Sequence, residues 1–345
     1  MDAMGGDHAP GEIVRGALRA VTELDCNVVL VGRAEPIAAE LVTSGARDQV
    51  TSGRISVLEA SQVVGMDEHP AAAVRAKRDS SIVRACELVA GAKASGAVSA
   101  GNSGAVLAAA LLTVKRAPGV SRPAIGAVVP TATGSTFILD AGANTDCKQE
   151  WLAQFAVMGV VYARTMMGVA TPRVGLLSNG EEPGKGSALV QAASPLIAAA
   201  GVEFVGNVEG RDLFRGACDV AVTDGFTGNI ALKTAEGVAE LLFTTLRREA
   251  RANARAKLGA LLMKPRLRAV RDRVDYRRTG GALLLGVDGE IVIAHGRSDA
   301  TAIMNAIKVA GVAAERGVSK AVASALDPRP DDRKNVTAKP AAVSS

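Results

Sequence analysis

Short apolar runs alternate with stretches of helical periodicity along most of the chain. Short runs rich in apolar residues are typical of buried β-strands, whereas apolar positions three and four residues apart predict helices. The sequence predicts ten strands, at 27–31, 55–58, 96–100, 124–129, 136–140, 173–177, 202–206, 219–223, 281–287 and 291–295. It predicts helices between most of them, at 10–24, 81–94, 103–115, 149–168, 187–200, 229–254 and 298–316.

This alternation predicts an α/β protein with a largely parallel, buried sheet. The adjacent runs within 124–140 and within 281–295 predict two hairpins, which would make the sheet mixed. Residues 1–326 show no internal repeat and are interpreted as one α/β unit or as two interlocked lobes. The polar, proline-bearing stretch 327–345 predicts a disordered tail.

Composition excludes several classes of protein. The 345-residue chain is only 3% aromatic, which argues against a surface that stacks nucleic-acid bases. It has no apolar run long enough to cross a membrane, and its first residues do not resemble a signal peptide. The dispersed cysteines lack metal-ligand spacing and indicate a reduced, cytoplasmic protein: Cys26, Cys86, Cys147 and Cys218.

Positive charge is concentrated in residues 247–278. This stretch has twelve Lys and Arg residues and three acids, a net +9, so with +5 overall the rest of the chain is net −4. Residues 251–278 combine basic with apolar side chains, and Pro265 predicts a break in any helix there. The candidate residues for contact with a membrane or with a protein partner are Leu258, Leu261, Leu262, Lys264, Arg266, Leu267, Arg268 and Val270.

A basic amphipathic segment of this kind has three interpretations. It is typical of a peripheral membrane element that contacts anionic lipid. It would also suit an acidic protein partner, or a helical hairpin packed in a dimer interface. No nucleic-acid recognition motif accompanies the charge, so nucleic-acid binding is not predicted.

Three Gly-rich turns follow predicted strands and open predicted helices, within 99–111, 139–151 and 224–233. In open α/β sheets, ligands bind where strands end and helices begin. In the first turn, Gly101 allows a ligand to approach backbone N–H groups, and Asn102 and Ser103 can cap the helix or donate to an anion. Plain capping would explain any one of these turns, but three of them favour a shared anion-binding cleft.

The loop SNGEEPGKGSALV places Lys185 between Gly184 and Gly186, ahead of a predicted helix. It is similar to a phosphate-binding loop, but only three residues separate Gly180 from Gly184, whereas the ATPase loop has four. The sequence therefore argues against ATP hydrolysis. A dinucleotide-binding fingerprint is also missing.

The three histidines are isolated, so their spacing predicts no zinc site. His295 ends a predicted strand in IVIAHGRSD, and the Gly and Ser that follow make a catalytic role as plausible as a structural one. No G-x-S-x-G motif is present, so acyl-serine chemistry has no support.

Eight stretches, in order over roughly residues 2–316, resemble the phosphate acyltransferases of bacterial phospholipid synthesis. They are DAMGGDHAP, SAGNSGA, RPAIGAVVPT, LDAGAN, GEEPGKG, GNVEGRDLF, TDGFTGNIALKTAEG and ALLLGVDGEIVIAHGRSDATAIMNAI. The resemblance implies a three-layer α/β/α sandwich with a mixed, mostly parallel sheet, similar to phosphate acetyltransferases and isopropylmalate-type dehydrogenases. It also implies a homodimer and a short apolar strand ahead of Asp2, which is expected to be missing because the sequence begins at Met1.

The resemblance further implies transfer of a long-chain fatty acyl group from acyl carrier protein to inorganic phosphate. No cofactor, metal or covalent acyl-enzyme is implied. The implied partners are acyl carrier protein and the glycerol-3-phosphate acyltransferase that consumes the acyl phosphate. A peripheral position at the inner face of the cell membrane is predicted from the basic segment instead. A phosphate acetyltransferase-like enzyme that uses acyl-coenzyme A stays open as the alternative.

Phosphate attack on a thioester requires a positioned anion and donors for the oxyanion that forms. On this basis the predicted catalytic residues are Lys185, Asn229 and His295, with His295 orienting or protonating the departing thiol. The predicted phosphate-binding residues are Lys185, Gly101, Asn102, Ser103, Gly184 and Gly186. Asn229 is predicted to face the acyl carbonyl together with Asp224, Gly225, Thr227 and Gly228.

Overall fold

The computed structural model describes residues 1–274 and 280–327. Its strands are β1 (Val28–Gly32), β2 (Ile55–Glu59), β3 (Gly96–Ser99), β4 (Ala124–Pro130), β5 (Ser135–Leu139), β6 (Arg173–Leu177), β7 (Glu203–Val208), β8 (Val220–Val222), β9 (Ala282–Leu285) and β10 (Glu290–Ile293). Each of them overlaps a predicted strand.

Helices fill the connections, and a π-helix at Ala163–Met167 extends one of them. They are α1 (Gly11–Glu23), α2 (Ala34–Thr43), α3 (Arg47–Thr51), α4 (Pro70–Ala76), α5 (Ser81–Ala90), α6 (Ser103–Thr113), α7 (Gln149–Tyr162), α8 (Ala188–Ala198), α9 (Gly225–Glu249), α10 (Ala254–Val274), α11 (Ala300–Glu315) and α12 (Val318–Leu326). The sequence did not predict α2, α3, α4 or α12 as helices.

The strands form two sheets. β1 and β2 pair in parallel, and the other strands form one sheet in the order β3-β10-β9-β4-β5-β8-β6-β7. The β4–β5 and β9–β10 hairpins are antiparallel, as is the β4–β9 pair between them. The remaining neighbours in the large sheet are parallel, which confirms the predicted mixed, mostly parallel sheet.

The central antiparallel strands bring distant strand ends together. Gly126 in β4 pairs with Leu139 at the end of β5 and with Leu283 in β9. The neighbouring Ala282 in β9 pairs with Ile293 at the end of β10. β5 and β10 therefore both end beside the middle of β4, and the turns that follow them start near the same part of the sheet.

Helices cover both faces of the large sheet. α1, α7, α8, α11 and α12 pack on one face, where Phe137 and Leu176 of the sheet join Phe155 of α7 in the core. α4, α5 and α6 pack on the other face, against Ile125 and Leu284. α9 covers the same second face over β5 and β8. Because neighbouring strand residues point to opposite faces, this pattern gives the predicted three-layer α/β/α sandwich.

The first residues of the chain connect the two sheets. The backbone N–H of Asp2 donates to Val98 O of β3 (2.9 Å), and that of Ala3 donates to Val31 O of β1 (2.8 Å). Asp2 and Ala3 therefore form a short β-bridge between β1 and β3. The strand that was expected to be missing would come directly before these residues.

Residues Ala254–Val274 of the basic segment form one continuous helix, so the predicted break at Pro265 is wrong. α10 runs through Pro265 because a proline removes one backbone hydrogen bond, while the Leu, Lys and Arg residues around it are strong helix formers. Residues 275–278 of the basic segment lie outside the described residues, as do residues 328–345 of the predicted tail.

Candidate active site

An open cleft of about 210 Å³ lies on the face of the large sheet that α6 and α9 cover. The strand residues that line it are apolar, among them Ile125, Ala127, Ala282 and Ile293. Polar side chains line it from the start of α6, the first half of α9 and the turn after β10: Ser103, Asn229, Lys233, Glu236, His295 and Ser298. Three predicted site residues, Ser103, Asn229 and His295, are thus brought together.

Helix α9 places Lys233 against His295. Lys233 Nζ lies 3.0 Å from His295 Nε2 and 2.8 Å from Glu236 Oε2. His295 Nε2 is 4.0 Å from the same carboxylate oxygen. Asn229, Lys233 and Glu236 share one face of α9 because residues three and four apart are neighbours on a helix. An ammonium, an imidazole and a carboxylate therefore meet beside an apolar surface.

The contacts and the burial of His295 affect both its tautomer and its pKa. Donors face both ring nitrogens: Arg297 N–H lies 3.2 Å from Nδ1, and the ammonium of Lys233 lies 3.0 Å from Nε2. A neutral ring has one acceptor nitrogen, so in each tautomer it accepts a hydrogen bond from only one of these two donors. Burial first, and then the charge of Lys233, lower the pKa of His295 against the opposing charge of Glu236. His295 is therefore a neutral ring at neutral pH.

The turn after β5 is organised by one buried carboxylate. Asp140 Oδ1 accepts from the backbone N–H groups of Ile125 (3.1 Å), Gly142 (3.0 Å) and Ala143 (2.8 Å). Its Oδ2 accepts from the backbone and side-chain nitrogens of Asn144, both at 2.8 Å. Burial raises the pKa of Asp140, and these hydrogen bonds oppose the rise. The network fixes Gly142 at the cleft.

The start of α9 packs tightly on this turn. Gly225 N donates to Asn144 O (2.7 Å), and a Cβ added to Gly228 would lie 1.9 Å from Asp140 O. Both glycines are therefore required for close backbone contact, and neither is among the residues that line the described cleft.

Asp224 and Thr227, which were predicted to face the thioester, form the cap of α9. Asp224 accepts from Thr227 N and Thr227 Oγ1, each at 2.8 Å. Such a cap satisfies otherwise unpaired N–H groups at the start of a helix. Asp224 and Thr227 thus contribute by positioning Asn229, which does line the cleft.

The turn after β3 contributes Ser103 to the cleft. Asn102 caps α6 by accepting a backbone N–H (3.2 Å), and its Nδ2 donates to Met66 O (3.0 Å). Gly101 N donates to Ser99 Oγ (3.1 Å). The predicted phosphate-binding groups on Asn102 and Gly101 therefore already have partners within the protein.

Lys185 lies on the loop after β6, not among the residues that line the described cleft. Gly184 and Gly186 on either side have left-handed φ angles of 91° and 96°, which favour glycine. Gly186 N donates to Asn179 Oδ1 (2.9 Å). A phosphate role for Lys185, Gly184 and Gly186 stays a prediction.

Sequence reasoning missed Lys233, Glu236 and Ser298 as site residues. A signal was present for Lys233, which follows Asn229 by four residues and therefore lies on the same helical face. Ser298 follows His295 by three residues, and its backbone N–H donates to His295 O (2.9 Å).

Solved structures with this fold include phosphotransacetylases and a branched-chain phosphotransacylase. The phosphotransacetylase of Streptococcus pyogenes superposes with a TM-score of 0.57 over 92% of both chains, at 16% identity. The EutD phosphotransacetylase of Staphylococcus aureus superposes with a TM-score of 0.52 over 87% of this chain and 99% of that one, also at 16% identity. The protein thus has the fold of the phosphotransacetylases.

Sequence similarity defines the family. Residues 1–321 match the FA_synthesis family, described as fatty acid synthesis protein, and the chain belongs to this family. The phosphate acyltransferase of Pelotomaculum thermopropionicum is 49% identical over 95% of this chain and 94% of its own length. That of Dictyoglomus turgidum is 48% identical over 95% and 97%. These relatives confirm the resemblance to phosphate acyltransferases.

Proposed function

We propose that the protein transfers a long-chain fatty acyl group from the thioester of acyl carrier protein to inorganic phosphate. The acyl phosphate product would supply phospholipid synthesis. The observation that most supports this is the Lys233–His295 pair, which lies with Asn229 at an apolar cleft in a relative of phosphate acyltransferases.

The chemistry uses phosphate itself as the nucleophile. A phosphate oxygen forms a bond to the thioester carbon, the C–S bond breaks, and the thiolate takes a proton from the ammonium of Lys233, which lies 3.0 Å from His295 Nε2. Asn229 and Lys233 stabilise the oxyanion of the tetrahedral intermediate. Because the thiol has a pKa near 8.5, its thiolate leaves without a strong acid. No covalent acyl-enzyme and no cofactor are needed for these steps.

The apolar side of the cleft suits a fatty acyl chain. Ile125, Ala127, Ala282 and Ile293 line it, and burial of methylene groups against such residues stabilises a long chain by about 0.8 kcal/mol for each CH₂. An acetyl group would gain little from these contacts. The alternative substrate, acyl-coenzyme A, shares the thioester and differs in the carrier.

Thiol release from purified protein tests the proposal. Long-chain acyl carrier protein should release thiol only when inorganic phosphate is present, and faster than the matching acyl-coenzyme A at equal concentration. Preference for acyl-coenzyme A would favour the alternative. Release at the same rate without phosphate would contradict phosphate as the acceptor.

The pH dependence of kcat/KM should report the state of His295 in the free enzyme. We expect activity to fall on the acid side at a pH below about 6.5, the ordinary pKa of histidine, since burial and Lys233 lower the pKa of His295. Lys233→Met removes a positive charge that lowers the pKa of His295, so the fall in activity on the acid side should move to higher pH. The control is Lys308→Met, at an exposed lysine on α11. If activity fell at the same pH in Lys233→Met as in the parent, the proposed effect of Lys233 on the pKa of His295 would be contradicted.

The exposed apolar side chains of α9 and α10 would hold the protein at the membrane. None of the helices in residues 1–274 and 280–327 is long and apolar enough to cross a bilayer. On α10, however, Leu261 and Leu262 are 62% and 74% exposed among basic residues, and on α9 Leu241 is 67% exposed. Apolar and basic groups together suit the surface of an anionic bilayer on the cytoplasmic side. Such a position would bring the product close to a membrane acyltransferase that consumes it.

Flotation with anionic vesicles tests this contact. The double variant Leu261→Glu, Leu262→Glu should lose at least about tenfold in vesicle affinity, because two leucines can no longer enter the lipid. The matched control, Val42→Glu with Val50→Glu, changes exposed apolar residues on α2 and α3 and should float like the parent. Unchanged flotation of the leucine variant would contradict membrane contact. A change in oligomeric state or in the KM for acyl carrier protein would assign the surface to a dimer or to the carrier instead.

A further inference from the structure

Ser298 is a buried polar residue that the proposed steps do not use. It lies between β10 and α11, lines the cleft, and is only 2% exposed. Its Oγ has no hydrogen-bond partner among residues 1–274 and 280–327. Burying a hydroxyl without a partner destabilises a protein, so such a group in a cleft points to a bound ligand.

Neighbouring polar groups do have partners. Ser99, which is also buried, donates from Oγ to Asp2 Oδ2 at 2.6 Å. At the start of α11, Ala300 N donates to Glu12 Oε2 (2.7 Å) and Ala302 N donates to the capping Asp299 (3.0 Å). These two helix-start donors are therefore already used, whereas the hydroxyl of Ser298 is a donor that a ligand can still engage.

The polar side chains that line the cleft with Ser298 favour an anion as the ligand. A backbone hydrogen bond of 2.9 Å closes the turn from His295 to Ser298. Both residues line the cleft, and Lys233 of α9 lines it with them. Lys233 provides a positive charge there, which the carboxylate of Glu236 at 2.8 Å partly balances, and the neutral His295 adds no charge. A hydroxyl donor and an ammonium that line one cleft are a common combination in phosphate sites.

We propose that the Ser298 hydroxyl donates a hydrogen bond to an oxygen of the phosphate ion that binds in this cleft. The inference rests on the proposed function and adds a phosphate-binding residue to it. It places phosphate next to Lys233, where the attacking oxygen and the departing sulfur can both reach the acyl carbon.

Thermal unfolding with and without inorganic phosphate, together with steady-state kinetics, tests the proposal. Ser298→Ala should unfold at or above the parental Tm without phosphate, because it loses no hydrogen bond within the protein. It should also lose most of the phosphate-induced rise in Tm, and its KM for phosphate should rise about tenfold or more. The matched control is Ser80→Ala, since Ser80 is also fully buried with an unpartnered Oγ but does not line the cleft. It should keep the parental response to phosphate.

Several outcomes would overturn the proposal. A fall in the phosphate-free Tm like that expected for Ser99→Ala would make the Ser298 hydroxyl structural. A parental KM for phosphate, or reduced turnover with an unchanged phosphate-induced rise in Tm, would remove the contact with phosphate while leaving the proposed function intact. A parent protein with no phosphate-dependent thiol release would overturn the proposed function together with this inference.

Discussion

Lys233→Met should lower kcat/KM for acyl transfer about a hundredfold to a thousandfold, the usual loss when one oxyanion-stabilising donor is removed. The ammonium of Lys233 lies 3.0 Å from His295 Nε2 at the cleft, so the variant loses both a positive charge and a partner in proton transfer. Stability should change little, because the ion pair with Glu236 is partly exposed and such pairs contribute about 1 kcal/mol or less.

Steady-state kinetics and thermal unfolding of the same preparations would separate these effects. Lys308→Met removes an exposed lysine from α11 and should retain parental kinetics. If Lys233→Met kept full activity, the role given to the Lys233–His295 pair would be wrong. If it lost activity only in proportion to folded protein, Lys233 would be structural.

Asp140→Ala should reduce the free energy of unfolding by about 4 kcal/mol, since it would leave one buried and four partly buried N–H groups without an acceptor. Five nitrogen donors converge on this carboxylate, from Ile125, Gly142, Ala143 and both nitrogens of Asn144. The same turn supports the start of α9, so the variant should also disturb the side of the cleft that α9 forms.

Urea unfolding monitored by circular dichroism measures this change. Asp146→Ala, at an exposed acid six residues further on, is the matched control and should stay within about 0.5 kcal/mol of the parent. A variant of Asp140 as stable as this control would show that the network around Asp140 does not hold the turn.

The central strands were predictable because they are buried on both faces. β4 and β9 appear in the sequence as uninterrupted apolar runs, each followed at once by a second run, so the hairpins could be predicted as well. Pro265 misled the helix prediction because a single missing hydrogen bond did not outweigh the propensity of its neighbours. Short helices such as α3, with no buried residue, leave little apolar periodicity to detect.

The candidate site was predictable only in part. Asn229 and His295 could be identified because polar residues at a helix start and a strand end point to a ligand site. Their meeting with Lys233 depends on the register of β9 between β4 and β10, which spacing along the chain does not reveal. Gly228 was assigned to the thioester, whereas the structure gives it a packing role against Asp140 O.

The measurement that most directly tests acyl transfer to phosphate is mass spectrometry of the product. Purified protein would be incubated with long-chain acyl carrier protein and inorganic phosphate uniformly labelled with heavy oxygen, then quenched rapidly. Direct attack by phosphate predicts one acyl phosphate for each thiol released, with all four labelled oxygens retained. Thiol release accompanied by free fatty acid and no labelled acyl phosphate would contradict the proposed reaction.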